Sequence, residues 1–225
     1  MDSLNGALSI EGFTLLLPTI SEEAITQKTC LIVQQILMSD LNQEGLLRVG
    51  GTQSTTTILN GCSNEELPFA FKHSQVKTAD LTSLLKLHLK ENPIFTPNQL
   101  FVLDQLCSSS KVSEKDISDF ISHNLSGFNK NRLVKIANLI KQIENNSSVN
   151  KMTRSNLNIA FSPTFLIPPS SGGTVLEDAY DRQSNERRKP TTALTHEEGL
   201  KQMQEAEKRQ TNNLRLLNVI LNKYA

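Results

Sequence analysis

Arg48 lies in the run Glu44-Gly45-Leu46-Leu47-Arg48-Val49-Gly50-Gly51, with one glycine three residues before it and two after it. Glycine allows backbone dihedrals closed to other residues, and its missing side chain lets a second molecule approach the main chain. Arginine keeps its charge throughout the physiological range and presents a planar fork of donors suited to phosphate or carboxylate oxygens. An arginine on a glycine-edged loop can therefore neutralise charge on a group brought to it; a surface ion pair would use the same residues. A second block is Leu84-Leu85-Lys86-Leu87-His88-Leu89-Lys90. Lys86 and Lys90, four apart, share one helix face, and their mutual repulsion would be relieved by an anionic partner. A solvated helix edge carries such a pair equally well. His88, set among leucines, reads as a core-edge histidine rather than a base or ligand. The third block runs from Asn150 through Lys151, Met152, Thr153 and Asn156-Leu157 to Phe161-Ser162-Pro163. Asparagine both donates and accepts, so Asn150 and Asn156 can hold a loop or a partner's backbone; local capping is the plainer use.

The elements that must position these residues are helical nearly throughout. Ser21 can cap a helix with Glu22 and Glu23 in its first turn and a stripe of Ile25, Ile32, Val33, Ile36 and Leu37. A turn-rich stretch from Asp40 to Gly51 follows, then a short helix over 52–60 of poor propensity, because threonine is β-branched. Asp80–Glu91 forms a helix with Leu81, Leu84, Leu85 and His88 inward and Pro93 marking its end. Asn98–Ser109 forms another. Ser113-x-x-Asp116 resembles a capping box and opens a helix carrying Ile117, Phe120, Ile121 and Leu125. Asn129 is expected to cap a longer helix, with Leu133, Ile136, Ala137, Ile140 and Ile143 on one side. Thr153 starts one that should stop before Pro163. No strand alternation and no internal repeat stand out. From Pro168 to about His196 the chain is polar and charged, which predicts a long surface loop at 169–196. A closing helix over 197–224 begins polar and ends with Leu214, Leu217, Ile220 and Leu221; its first half should project into solvent or meet a partner.

Bulk properties exclude several function classes. Lysine plus arginine number 23 and aspartate plus glutamate 23, so the formal charge is zero and broad electrostatic capture of nucleic acid or anionic membrane is disfavoured. No stretch reaches the roughly 18 apolar residues of a membrane span, and no basic residue precedes Leu4 as in a secretory signal. The odd, scattered cysteines Cys30, Cys62 and Cys107 suggest reduced thiols and a cytoplasmic chain. No Cys/His cluster has zinc spacing, so no metal site is expected. The Asn-x-Ser triplets at Asn124, Asn145 and Asn146 read as chance. There is no phosphate-cradling Gly-x-x-x-x-Gly-Lys loop, nucleophile elbow or Ser/His/Asp arrangement of a self-contained enzyme. Arg187-Arg188-Lys189 reads as part of a solvated loop.

Taken in order, the three blocks resemble the Rho GTPase-activating domain family. The first is similar to its Glu-Gly-x-x-Arg-x-x-Gly loop and the second to its Leu-Leu-Lys-x-x-Leu-Arg segment. The third is similar to its Asn-x-Met-x-x-x-Asn-Leu-Ala-x-x-Phe-x-Pro signature. The resemblance covers about residues 15–168, and the last helix fits the family's closing one. It implies an all-α, multi-helix single domain spanning 1–225. It also implies an activity: accelerating GTP hydrolysis on a Rho- or Rac-family small G protein in its GTP state, a route to cytoskeletal regulation. Arg48 would be the catalytic arginine finger, on a loop framed by Gly45, Gly50 and Gly51. Lys86 and Lys90 would support that loop and contact the G protein's switch regions. Asn156 would reach the switch or nucleotide region, and Asn150 would help hold that surface. The domain would carry no cofactor of its own, GTP and magnesium being held by the partner, and a monomer would suffice.

The chain departs from the family pattern in places. Gly50 stands where the family often has serine, which would loosen the finger loop. Lys90 replaces an arginine and loses its bidentate fork. Asn92-Pro93-Ile94-Phe95 replaces Leu-Pro-Glu-Pro; Asn158 and Ser162 replace alanine and glycine. These departures motivate an alternative, a domain that binds GTP-loaded Rho-family proteins without accelerating hydrolysis.

Overall fold

The computed structural model describes residues 8–10, 13–15, 20–73, 75–166 and 196–225; the expected loop at 169–196 lies outside them except for His196, which opens the closing helix. Ten helices are present among the described residues: α1 (Glu22–Leu37), α2 (Gln53–Gly61), α3 (Leu67–His73), α4 (Thr78–Glu91), α5 (Pro97–Ser108), α6 (Glu114–Asn124), α7 (Gly127–Asn145), α8 (Ser147–Asn150), α9 (Arg154–Phe165) and α10 (His196–Tyr224). Among the described residues the structure is all-α apart from one short antiparallel hairpin, β1 (Leu8–Ile10) and β2 (Phe13–Leu15), in which Ser9 pairs with Thr14. That hairpin, α3 and the single turn α8 were not expected from periodicity, being too short to show it.

Local chemistry sets most helix starts. The Ser21 hydroxyl accepts from the Ala24 amide at 3.1 Å. Ser113 and Asp116 form a reciprocal box, with Asp116 N donating to Ser113 Oγ and Ser113 N to Asp116 Oδ2. Two expectations need correction. The cap of α7 is Ser126, whose hydroxyl accepts from the Asn129 amide at 3.2 Å, so Asn129 lies inside the first turn. Helix α9 also continues through Pro163 to Phe165. Pro163 forfeits one intrahelical bond, yet the Leu166 amide still closes on Ser162 O at 2.8 Å.

The apolar faces meet in one core. α1 buries Ile32, Val33 and Ile36 against α4 and α7. α4 contributes Leu81, Leu84, Leu85 and Leu89, and α7 contributes Leu133, Ile136, Ile140 and Ile143. The second half of α10 buries Leu216, Leu217, Val219, Ile220 and Leu221 among α5, α6, α7 and α9. Its residues 201–210 are all exposed. Arg215 ties α10 to the carbonyls of Cys107, Ser109 and Val112 at and beyond the end of α5. Arg154 bonds Glu144 through Nε at 2.6 Å and Nη2 at 2.5 Å, and Asn218 through Nη1 at 2.8 Å, joining α9, α7 and α10. Cys30, Cys62 and Cys107 are all free thiols, and burial pushes Cys107 up to about 11.

One polar cluster crosses the core beneath α4. His88 Nε2 lies 3.0 Å from Thr29 Oγ1 and 3.2 Å from Ile25 O, while Thr29 Oγ1 donates to Ile25 O and accepts from Arg132 Nε. Arg132 also donates to Asn129 Oδ1 and to the Asn92 carbonyl. The acceptors around Nε2 assign the His88 proton to that nitrogen, leaving Nδ1 to face Asn92 Nδ2 at 3.4 Å. Burial, reinforced by the Arg132 charge, lowers the His88 pKa from 6.5 to about 4. The unfolded chain therefore takes up the proton first as pH falls. Stability from this site is complete above about pH 6.5 and is lost toward pH 4, by at most about 1.4 kcal/mol per pH unit. Calorimetry across that window is expected to show a falling melting temperature, with a flatter profile for His88→Gln, which keeps a donor but does not titrate.

Candidate functional site

The loop between α1 and α2 folds on itself around Gly45. The Gly45 carbonyl accepts from the Arg48 amide at 2.8 Å and the Val49 amide at 3.0 Å. Gly45 has φ +72°, a left-handed conformation that favours glycine. A Cβ at this position would lie 3.1 Å from Val49 Cγ2 and 3.6 Å from Arg48 Nε and Nη2, so the guanidinium rests across the bare face of Gly45. Leu46 and Leu47, the next two residues, are buried at 3% and 1% exposure, whereas Arg48 is exposed. No hydrogen bond or ion pair among the described residues holds the Arg48 guanidinium.

Four neighbours hold this loop. The Gly45 amide donates to the Asn150 carbonyl at 3.0 Å. Lys86, from the middle of α4, donates its ammonium to the Leu47 carbonyl. Burial pushes the Lys86 pKa down to about 8. At the far end, the Gly51 amide donates to Ser83 Oγ at 2.7 Å and the Thr52 amide to Asp80 Oδ1 at 2.6 Å. Asp80 Oδ2 accepts from the Lys77 amide at 3.0 Å, so one buried carboxylate caps α4 and pins the loop's exit. A Cβ on Gly51 would fall 2.5 Å from Asp80 Cα, so the loop backbone lies directly on α4. Gly50 has nothing within 4 Å of an added Cβ. The loosening expected from its lost side chain therefore has no counterpart in packing.

The asparagines divide their labour. Asn150 is 0% exposed. Its Nδ2 donates to the carbonyls of Leu41 and Ile143 at 3.0 and 2.9 Å, and its Oδ1 accepts from the Met152 amide at 2.8 Å. It holds the Gly45–Gly51 loop from behind and presents no atom to a partner. Asn156, half-buried in the first turn of α9, donates Nδ2 to the Lys151 carbonyl at 2.6 Å, where Lys151 turns with φ +61°. Lys90, one turn beyond Lys86, is exposed, and no bond among the described residues joins it to the Gly45–Gly51 loop. Arg48, Lys86, Asn150 and Asn156 are thus linked through one continuous backbone-bonded unit, with Lys90 beside it on α4. Beyond the residues read from sequence, Asp80 and Ser83 secure the loop. Asp80 was visible only as an acid in a helix's first turn.

The RhoGAP domain family model matches residues 28–170. The chain belongs to the RhoGAP domain family. Among curated relatives, this RhoGAP domain is 27% identical over 139 residues to the Dictyostelium discoideum Rho GTPase-activating protein gacHH, covering 61% of this chain and 9% of that protein. It is 26% identical over 160 residues to the Drosophila melanogaster Rho GTPase-activating protein conundrum, covering 65% of this chain and 25% of that one. The RhoGAP domain thus spans a minor part of those relatives. Its fold is similar to the BH domain of GRAF, the GTPase regulator associated with focal adhesion kinase. The TM-score is 0.56 at 16% identity, over 90% of this chain and 95% of that one. It is likewise similar to human Rho GTPase activating protein 15, with a TM-score of 0.55 at 15% identity, over 89% and 81% of the two chains. These likenesses establish the fold. Among the described residues, no helix is long and apolar enough to cross a membrane, and no cluster of side chains could hold a metal ion.

Proposed function

We propose that this RhoGAP domain accelerates GTP hydrolysis on a GTP-loaded Rho-family small G protein in the cytoplasm, with Arg48 as the arginine finger. The observation that carries the reading is a contrast within the loop: a free, exposed guanidinium on a backbone tied down at Gly45, Leu47 and Gly51. A backbone fixed in advance leaves only the side chain to be placed when the partner docks, and a charge so placed lowers a barrier because nothing further must reorganise as charge develops. In phosphoryl transfer that charge spreads over the transferred group and the leaving oxygen. The G protein would supply magnesium, its phosphate-binding lysine and the residue that orients water. Arg48 would lift off Gly45 and extend into the partner's nucleotide pocket.

The surroundings suit a protein partner. Val49, beside the finger, is 50% exposed, and Ile159, one turn beyond Asn156 on α9, is 57% exposed. Apolar side chains between polar anchors are what a partner surface can desolvate. Lys90 would offer its charge at the rim. The alternative, a module that binds without catalysing, keeps all of these contacts and loses only the productive placement of Arg48.

Single-turnover phosphate release from a panel of GTP-loaded Rho- and Rac-family proteins tests the proposal, with affinity for the GTP and GDP forms measured in parallel. Acceleration of at least one member supports catalysis. GTP-dependent binding without acceleration selects the binding-only module, and no nucleotide-dependent binding to any member removes both.

A further inference from the structure

The finger loop contains a feature its sequence does not advertise. Besides Lys151, Leu47 is the one non-glycine residue with positive φ among those described, at +69°. It occupies the third position of the turn closed by Arg48 N donating to Gly45 O at 2.8 Å. A turn with positive φ at that position alone is of type II, and type II turns place glycine or asparagine there because a Cβ crowds the backbone. Leucine in this conformation is strained, and such strain persists only where the surroundings over-determine it.

Two contacts impose it. The Leu47 side chain is 1% exposed within the core, beside Leu46 at 3%. Its carbonyl accepts from the Lys86 ammonium. The left-handed step at residue 47 lets two successive leucines turn inward while the next residue turns out. Glycine would adopt the turn without strain but would leave it without an anchor, free to sample other conformations.

We propose that Leu47 is the positioning residue of the finger: its buried side chain locks the left-handed turn that aims Arg48 outward. The catalytic part of this claim rests on the proposed role of Arg48; the locking of the loop does not. The strained backbone is tolerated because the side chain it places in the core fixes the direction of its neighbour.

The test compares Leu47→Gly, Leu47→Met and a remote core truncation, Leu103→Ala in α5, where Leu103 is 0% exposed. Hydrogen exchange on the isolated domain is read at the Arg48 and Val49 amides, both bonded to Gly45 O. Leu47→Gly is expected to speed their exchange by about tenfold or more while the Ile136 and Ile140 amides of α7 stay protected. With a GTP-loaded Rho-family protein, the saturated hydrolysis rate should fall by about tenfold or more, with the half-saturating concentration within about threefold. Leu47→Met should restore both readouts, and Leu103→Ala should move neither. Unchanged exchange in Leu47→Gly, or an equal effect from Leu103→Ala, overturns the proposal. If Leu47→Gly does not fold, Leu47→Ala takes its place, with the same readouts and the same expected changes. If the wild-type domain accelerates no Rho-family protein, the arginine-finger reading fails, and the exchange measurement still decides whether Leu47 locks the loop.

Discussion

Replacing Arg48 with alanine is expected to remove nearly all acceleration of GTP hydrolysis while the domain keeps its fold and much of its affinity for the GTP-loaded partner. An arginine finger is worth on the order of 10³–10⁵ in rate, because it meets charge that exists fully only in the transition state. The ground-state complex gains much less from it, so saturated turnover should collapse while the half-saturating concentration moves little. Stability should change by no more than about 0.5 kcal/mol, since the side chain is exposed and no described residue bonds its guanidinium. Arg48→Lys keeps a charge but not the planar fork, and should recover only a small part of the rate. Single-turnover phosphate release beside binding and melting measurements checks these expectations. Full acceleration by the alanine variant would exclude Arg48 from the role and leave the domain's effect to be explained by how it orders the G protein.

The second large effect is expected at Gly51. An alanine methyl there would lie 2.5 Å from Asp80 Cα, 2.7 Å from Ala79 O and 2.8 Å from Asp80 N. All three are backbone atoms of α4, so nothing flexible can yield, and the loop must lift from the helix. That strains the bonds from Gly51 N to Ser83 and from Thr52 N to the buried Asp80. Overpacking of this kind costs about 1–3 kcal/mol, which corresponds to a melting temperature lower by several degrees. The consequence for activity should be larger than that for stability. Displacing a reacting group by about 1 Å can cost on the order of 10²-fold in rate, and the exit of the loop that carries Arg48 is what moves. Gly50→Ser provides the contrast one residue away. With nothing within 4 Å of its Cβ, serine should leave both melting temperature and hydrolysis rate unchanged. Equal tolerance at the two positions would mean that the loop does not lie on α4 in solution.

Much of the fold is legible in the chain because helices advertise themselves locally. Ser21, Ser113 and Thr153 each accept from an amide three residues on, and the leucine and isoleucine spacing of α1, α4 and α7 marks the buried faces. Where local signals compete, sequence reading loses. Asn129 is a good cap by type, but Ser126 stands where the chain turns into α7. Pro163 reads as a stop, yet α9 keeps its ladder with Ser162 O bonded to Leu166 N, and the bond forfeited would have met the carbonyl of the exposed residue Ile159.

The site divides along a similar line. Residue types and their order within Glu44–Gly51, Leu84–Lys90 and Asn150–Pro163 marked Arg48, the two lysines and the two asparagines as candidates. What each of them bonds to was not written there. Lys86 meets Leu47 across 39 positions and Asn150 meets Leu41 across 109, and only the packed helices bring those pairs together. Asn150 turned inward because its three hydrogen bonds are all to backbone brought there by the fold. The left-handed turn at Leu47 has no sequence signature, since leucine alone would avoid it. Local propensity and charge are properties of neighbouring residues and can be read along the chain. Burial, clamped strain and the aim of a side chain depend on contacts between distant segments, and the tertiary structure decided those.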